Sequence, residues 1–216
     1  MNVIDDLALR SPVRAPRGKV TVVHDTSKGR FVLRRRSPTV AEAKKLVMAI
    51  RDTPKISAYP VSAWMKGGAL LAELEDGTVA GACLQDDFFG RWTEIAVLFV
   101  FEEFRGWGIG AALLAEARAL LHARRRHVMI MSNNPLVTGM LPKHRFQILP
   151  SRAEFPDNLR PHRAALTWIY DLRWWMSAYR IREIIRKRRV FGRQPPYTYG
   201  LALAEDSWSV PPYYNR

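Results

Sequence analysis

Apolar residues recur along this chain with two periods, and the alternation between them divides it into strands and helices. Phe31-Val32-Leu33-Arg34-Arg35-Arg36 reads as a strand, and Ser37-Pro38 supplies an N-cap and a proline at the first helical position, with Glu42 in the first turn. The helix predicted for residues 38–51 repeats Val40, Ala43, Leu46, Val47 and Ile50 at steps of three and four, the spacing of one buried face. Residues 57–66 predict a second helix, interrupted by Pro60. Two short strands, 69–74 and 79–84, flank Asp76-Gly77 as a hairpin. Residues 92–101 are almost continuously apolar and rich in β-branched and aromatic side chains, as in a central strand covered on both faces. Next, Ile109, Leu113, Leu114, Ala117, Leu120 and Leu121 mark a long helix in residues 107–126. Strands are expected at 128–131, 146–149 and 164–172, and a short helix at 135–143.

The two ends differ from this middle. Residues 1–30 mix Pro12, Pro16, Gly18 and Gly29 with scattered charge, which predicts an irregular arm holding at most a short strand at 19–24. From Arg173, the residues Trp174, Trp175, Tyr179, Ile181, Ile184 and Ile185 lie among Arg180, Arg182, Arg186, Lys187, Arg188 and Arg189, a basic amphipathic helix. Residues 194–216 are rich in proline and tyrosine and are expected to be extended or irregular. The expected organisation is an arm (1–30), one α/β domain (31–172) and a basic aromatic tail (173–216), with no internal repeat.

Composition narrows the function classes. At 216 residues with 48% hydrophobic positions the chain suits one large domain that packs without staples. No apolar run reaches the roughly 18 residues that cross a bilayer, and Asp5 and Asp6 stand where a signal peptide carries positive charge, so a cytoplasmic protein is expected. A single cysteine, Cys83, forms neither an internal disulfide nor a metal cluster, and reads as a core residue. A net charge of +14 favours an acidic partner: CoA phosphates, nucleic acid or anionic lipid. For the segment from Arg173 to Arg193 three readings stand open: packing on the domain or a second subunit, nucleic-acid contact through arginine and aromatic stacking, or a membrane-surface helix.

The candidate chemistry lies between the central strand and the long helix. Gly106, Gly108 and Gly110 let the backbone N–H groups of Arg105-Gly106-Trp107-Gly108-Ile109-Gly110 approach a phosphate at the positive end of a helix, and Arg105 adds a charged contact. The third glycine comes one position too early for the dinucleotide fingerprint, and no Gly-Lys-Ser/Thr ending makes this an NTP-binding loop.

Glu94-Ile95-Ala96-Val97, followed by Glu103-Phe104-Arg105-Gly106-Trp107-Gly108-Ile109-Gly110-Ala111-Ala112-Leu113-Leu114, resembles the core motif of the GNAT superfamily of acyl-CoA N-acyltransferases. Its Arg/Gln-x-x-Gly-x-Gly/Ala pattern is matched by Arg105, Gly108 and Gly110, and the likeness covers about two thirds of the chain. The resemblance implies a mixed, mostly antiparallel sheet flanked by helices, with acetyl-CoA as co-substrate and an amine as acceptor. It implies that backbone groups at Val97, Phe99 and Val100 bind the pantetheine and polarise the thioester, and that Arg105, Gly106, Trp107, Gly108, Ile109, Gly110 and Ala111 hold the diphosphate. Asn133 or Asn134 would bond the pantetheine, with a turn-forming Asn-Asn-Pro as the other reading. Glu94 is the candidate general base, weighed against an exposed strand-edge residue, and His144 is the substitute. The sequence departs from the family where many relatives carry a tyrosine before a Gly-Phe pair: here Leu141 and Arg145 hold those positions, so the usual general acid is missing. That departure keeps open a non-catalytic alternative, a GNAT-fold protein gripping nucleic acid or a larger assembly through its basic surface.

Overall fold

A computed structural model describes residues 19–56, 58–66, 68–149, 160 and 162–205. The chain runs through β1 (Lys19–Thr26), β2 (Gly29–Arg36), α1 (Val40–Arg51), α2 (Val61–Lys66), β3 (Ala69–Leu74), β4 (Val79–Phe89), β5 (Trp92–Val100) and α3 (Ile109–Ala123). It continues through β6 (His127–Ser132), α4 (Pro135–Met140), β7 (Gln147–Leu149), a π-helical stretch (Ala165–Ile169) leading into α5 (Tyr170–Trp175), α6 (Ala178–Phe191) and β8 (Thr198–Ala202). The strands form one sheet in the order β1-β2-β3-β4-β5-β6-β8-β7. Neighbours are antiparallel except β5 and β6, which run parallel.

Three apolar clusters hold helices to the two faces. On one face Ile109, Leu113, Leu114 and Leu121 of α3 pack on Leu70, Ile95, Val128 and Ile130. Behind the other, Leu46 and Ile50 of α1 and Trp64 of α2 meet Leu71, Val97 and Phe99. A third cluster joins Trp92, Met129 and Leu201 to Leu166 and Tyr170. The cap of α1 lies two residues beyond the expected Ser37: Thr39 accepts the Glu42 N–H, and Glu42 accepts the Thr39 N–H at 2.6 Å. Arg36 then fastens β2 to this corner, donating to Glu42 and to Glu73 at 2.7 Å each.

The sequence expectations fail in three places. Residues 164–172 do not form a strand but belong to the π-helical stretch and α5, because Leu166 and Tyr170, four residues apart, both reach the third cluster. The last strand is β8, from within the proline-rich tail; it inserts between β6 and β7, so the sheet extends past Leu172. The arm yields a full strand, β1, paired along β2, while residues 1–18 lie outside the described residues.

The basic helix packs on the domain with its amphipathicity inverted. Arg180, Glu183 and Lys187 of α6 are buried, whereas Ile184 and Ile185 are exposed, as is Trp175 before them. Partners distant in sequence explain the inversion. The Lys187 ammonium donates to the carbonyls of Ile50 (2.9 Å), Thr53 (2.5 Å) and Ile56 (2.6 Å), just where α1 ends and the negative end of its dipole favours a cation. Glu183 pairs with Arg186 at 2.9 Å and Arg51 at 3.5 Å.

Candidate active site

The site begins with a fault in the sheet. On β4, Leu84 and Gln85 are consecutive, yet they pair with Val97 and Ile95 of β5, so Ala96 is an extra residue, a β-bulge. Its effect is visible in the side chains: Ile95 faces α3, while Val97, two residues on, faces α1. An unbulged strand would put both on one face. Pairing between β5 and β6 stops at the same point, with Ile95 opposite Ile130 as the last pair although both strands continue. Beyond it the strands part around a cleft lined by Ala96, Val97 and Leu98 on one side and Met131, Ser132 and Asn134 on the other. Val97 and Phe99 bury their side chains among the α1 cluster, and Val100 packs toward α3. The Phe101 N–H bonds the Ala80 carbonyl, and by the alternation of an antiparallel ladder Val97 and Phe99 also turn their main-chain groups to β4, while those of Leu98 and Val100 point to the side where β6 has parted.

At the cleft's end sits the glycine loop. Gly106 and Gly108 have φ of 80° and 81°, a conformation that a side chain penalises. No described residue accepts a hydrogen bond from the backbone N–H groups of residues 106–111; the first N–H of this region engaged within the fold is that of Ala112, bonded to the Gly108 carbonyl. A Cβ placed on Gly108 would meet nothing within 4 Å, so the space before these amides is open. Ile109 buries its side chain in the core, and the helix opens at Ile109 rather than Trp107. The Trp107 ring lies against Gly29, where an added Cβ would stand 2.7 Å from it, so Trp107 clamps the loop to the β1–β2 turn. That turn delivers a cation the sequence did not suggest: the Lys28 ammonium lies 3.1 Å from the position of a Cβ on Gly106. Lys28 and Arg105, the latter 3.6 Å from exposed Glu102, place positive charge at the loop.

Glu94 is not an exposed strand-edge group but is 4% exposed, lining the cleft on the α1 face. Tyr170 donates to its Oε1 at 2.6 Å and Tyr59 to its Oε2 at 3.3 Å, and Tyr170 in turn accepts from the Trp174 indole at 2.6 Å. Burial raises the carboxyl above its ordinary range; the Tyr170 bond and Arg180 pull it back, and Asp86 pushes it further up. A carboxyl displaced upward is suited to taking a proton near neutral pH. Arg180 is held between the rings of Tyr59 (4.2 Å) and Trp174 (4.8 Å), and its Nη2 stands 3.4 Å from Asp86. An unmatched polar atom in such a place costs roughly 1–3 kcal/mol, and Arg180 Nη1 is one, buried without a hydrogen-bond partner among the described residues.

The remaining candidates separate. Asn134 caps α4 by accepting the Leu136 N–H, the turn-forming reading of Asn-Asn-Pro, and it also lines the cleft. Asn133 is turned toward the tail, donating to the Pro195 carbonyl at 3.4 Å, and its buried Oδ1 has no partner among the described residues. His144 is 2% exposed rather than solvated; burial and Lys143 lower it to about 4, and it lines neither the cleft nor the cavity beside it. Leu141 is fully buried, and Arg145 has φ of 55°, the left-handed conformation in which glycine is unstrained. A phenol nevertheless stands at the cleft: Tyr197, just before β8, lines both it and the adjoining cavity. No pattern in the sequence singles out Tyr59, Tyr170, Tyr197 or Arg180, since each reaches the site through a separate segment of chain.

Residues 45–140, which span α1 to the end of α4, match the model of the Acetyltransferase (GNAT) family. Over that stretch the chain is similar to the GNAT family. Its fold agrees with solved GNAT-like structures at low identity. One is yncA of Salmonella typhimurium with acetyl-CoA: 13% identity, TM-score 0.54, covering 83% of this chain and 96% of that one. Rv2747 of Mycobacterium tuberculosis, in complex with CoA and NLQ, is 14% identical at TM-score 0.53, over 80% and 98%. A phosphinothricin acetyltransferase of Sinorhizobium meliloti, with AcCoA, is 14% identical at TM-score 0.51, over 80% and 88%. At such identities the likeness is one of fold. A search of curated proteins finds no match. Among the described residues, no helix is long and apolar enough to cross a membrane.

Proposed function

We propose that this protein transfers an acetyl group from acetyl-CoA to a primary amine by direct attack. The observation that carries the reading is the continuity of unpaired main chain, from the parted edge of β5 after Ile95 to the uncommitted amides of residues 106–111. The amides of the loop, with Lys28 and Arg105, hold the diphosphate. The backbone N–H groups on the open side of β5, those of Leu98 and Val100, hydrogen-bond the thioester oxygen as it gains negative charge, each such donor contributing typically about 2.7–4 kcal/mol in the transition state. Glu94 takes a proton from the amine, directly or through one water, as the C–N bond forms and the C–S bond breaks. Tyr197 gives a proton to the departing thiolate, the task for which Leu141 is chemically unfit.

The test is incubation of the full chain with acetyl-CoA and a pool of primary amines, reading free thiol and acetylated product by mass spectrometry. Amine-dependent thiol release with a matching acetylated product is expected. CoA that binds with no amine modified would instead favour the second reading, a binding protein that keeps the fold. Buried Leu141 and the exposed Arg182, Arg188 and Arg189 on α6 support that alternative. Nucleic-acid binding that weakens steeply with salt and is lost when these arginines become glutamine would distinguish it.

A further inference from the structure

Beside the cleft lies a second cavity of about 810 Å3, walled by α5, α6 and the segment that leads into β8. It meets the cleft at Ile56, Met131 and Tyr197, which line both spaces. Trp174, Trp175, Ile181, Ile184 and Pro195 make much of its wall apolar, and its volume suits a whole small molecule rather than a bare amino group.

Of the charged groups on that wall, Arg188 and Arg193 are exposed at its outer side, and two buried ones are committed. Lys187 is fixed to three backbone carbonyls, and Glu183 to Arg186 and Arg51. Arg180 is different: it is 7% exposed and clamped between two aromatic rings, and its Nη1 has no hydrogen-bond partner among the described residues. Asp86, the carboxylate that its Nη2 approaches at 3.4 Å, is already bonded by Arg173 at 2.5 Å. A rigid, buried guanidinium edge with unmatched N–H donors is completed by a planar anion, for which a carboxylate has the right geometry. The same arginine acts electrostatically on Glu94. A site for an anion and a proposed site for proton removal therefore stand side by side at one end of an apolar cavity.

We infer that the acceptor is an α-amino acid, or a close analogue, with a bulky apolar side chain. Its carboxylate lies on the face of the Arg180 side chain that lines the cavity, its amine points past Tyr197 into the cleft, and its side chain fills the space between Trp174, Trp175 and Ile181. This inference rests on the acetyl-transfer reading and names its substrate class.

Calorimetry on the full chain saturated with CoA tests it, using L-phenylalanine, 2-phenylethylamine (no carboxylate) and 3-phenylpropionate (no amine). L-phenylalanine is expected to bind at least ~30-fold more tightly than 2-phenylethylamine, the loss that follows from leaving a buried charge unpaired. Arg180→Gln is expected to shrink that ratio to within about 3-fold with CoA affinity unchanged, and Arg180→Lys to restore part of it. Because Arg180 also packs between two rings, Ile181→Trp supplies an independent arm: filling the cavity should weaken L-phenylalanine ~10-fold while CoA still binds. Equal affinities for the two amines, no amino acid binding to a CoA-loaded protein, or a ratio indifferent to both Arg180 substitutions overturns the inference and leaves the CoA site standing. Wild-type protein that takes no CoA overturns the transfer reading and this one with it.

Discussion

Two glycines of one loop should respond in opposite ways to the same methyl group. Gly108 has φ of 81° and open space where a Cβ would go. Gly110 stands inside α3 without a positive φ, and its Cβ would meet Val100 Cγ2 at an ordinary 3.7 Å. Gly108→Ala forces alanine into the left-handed region, about 1–2 kcal/mol of strain, and for a chain of this length the melting temperature should fall by roughly 2–8 °C. The methyl also enters the space before the loop amides. Loss of one hydrogen bond to a charged phosphate is worth about 1.5–3 kcal/mol, so CoA affinity should drop roughly 10- to 150-fold. Gly110→Ala removes a poor helix former, which should stabilise the protein by up to about 1 kcal/mol and leave CoA affinity within about twofold. Thermal unfolding and calorimetric titration with CoA on the two variants read both quantities. Equal loss of CoA affinity in both variants, or none in Gly108→Ala, would refute the assignment of these amides to the diphosphate.

Three further outcomes follow from named side chains. Glu94→Gln still accepts from a tyrosine, so the fold should survive, with CoA binding unchanged and turnover on any amine the wild type acetylates reduced about 10²- to 10⁴-fold. Because Glu94 is raised above 4.5 in the fold, the native state keeps a proton that the unfolded chain releases; wild-type stability should therefore decline relative to the glutamine variant as pH climbs above 4.5, as pH-dependent urea unfolding would show. Lys187→Met strips the three carbonyls of their donor and should cost about 2–4 kcal/mol at pH 7, measured by urea unfolding. Burial, and then Arg186, lowers Lys187 from 10.5 to about 8, so between those values the unfolded chain holds more protons; wild type should gain up to about 3 kcal/mol on Lys187→Met as pH rises through that window. Tyr197→Phe should lower turnover about 10²-fold with little change in CoA affinity, and an unchanged rate would remove Tyr197 as the thiolate's acid.

What was legible in the sequence is what is local. The glycine spacing from Gly106 to Gly110 and the repeat of Ile109, Leu113 and Leu121 lie within single elements, where backbone dihedrals and helical period act over a few residues. Residues 164–172 misled because a short apolar run with Thr167, Trp168 and Ile169 fits a buried helix as well as a strand; only the partners of Leu166 and Tyr170 decide it. β8 was hidden for the same reason, since Thr198–Ala202 becomes a strand by filling the gap between β6 and β7. The surroundings of Glu94 come from Tyr59, Tyr170 and Arg180, and Lys187 meets Ile50 across 137 positions of chain. Hydrophobic periodicity carries no record of such pairs, which is why α6, with its charges buried and its isoleucines outward, reads in reverse.

The most direct test is a crystal structure of the full chain grown with CoA. The diphosphate should lie within hydrogen-bond distance of the N–H groups of residues 106–111, with the pantetheine between the parted edges of β5 and β6 and the sulfur near Ala96 and Tyr197. CoA bound elsewhere, or a loop whose amides turn inward to bond the fold while the nucleotide stays in solvent, would contradict the account.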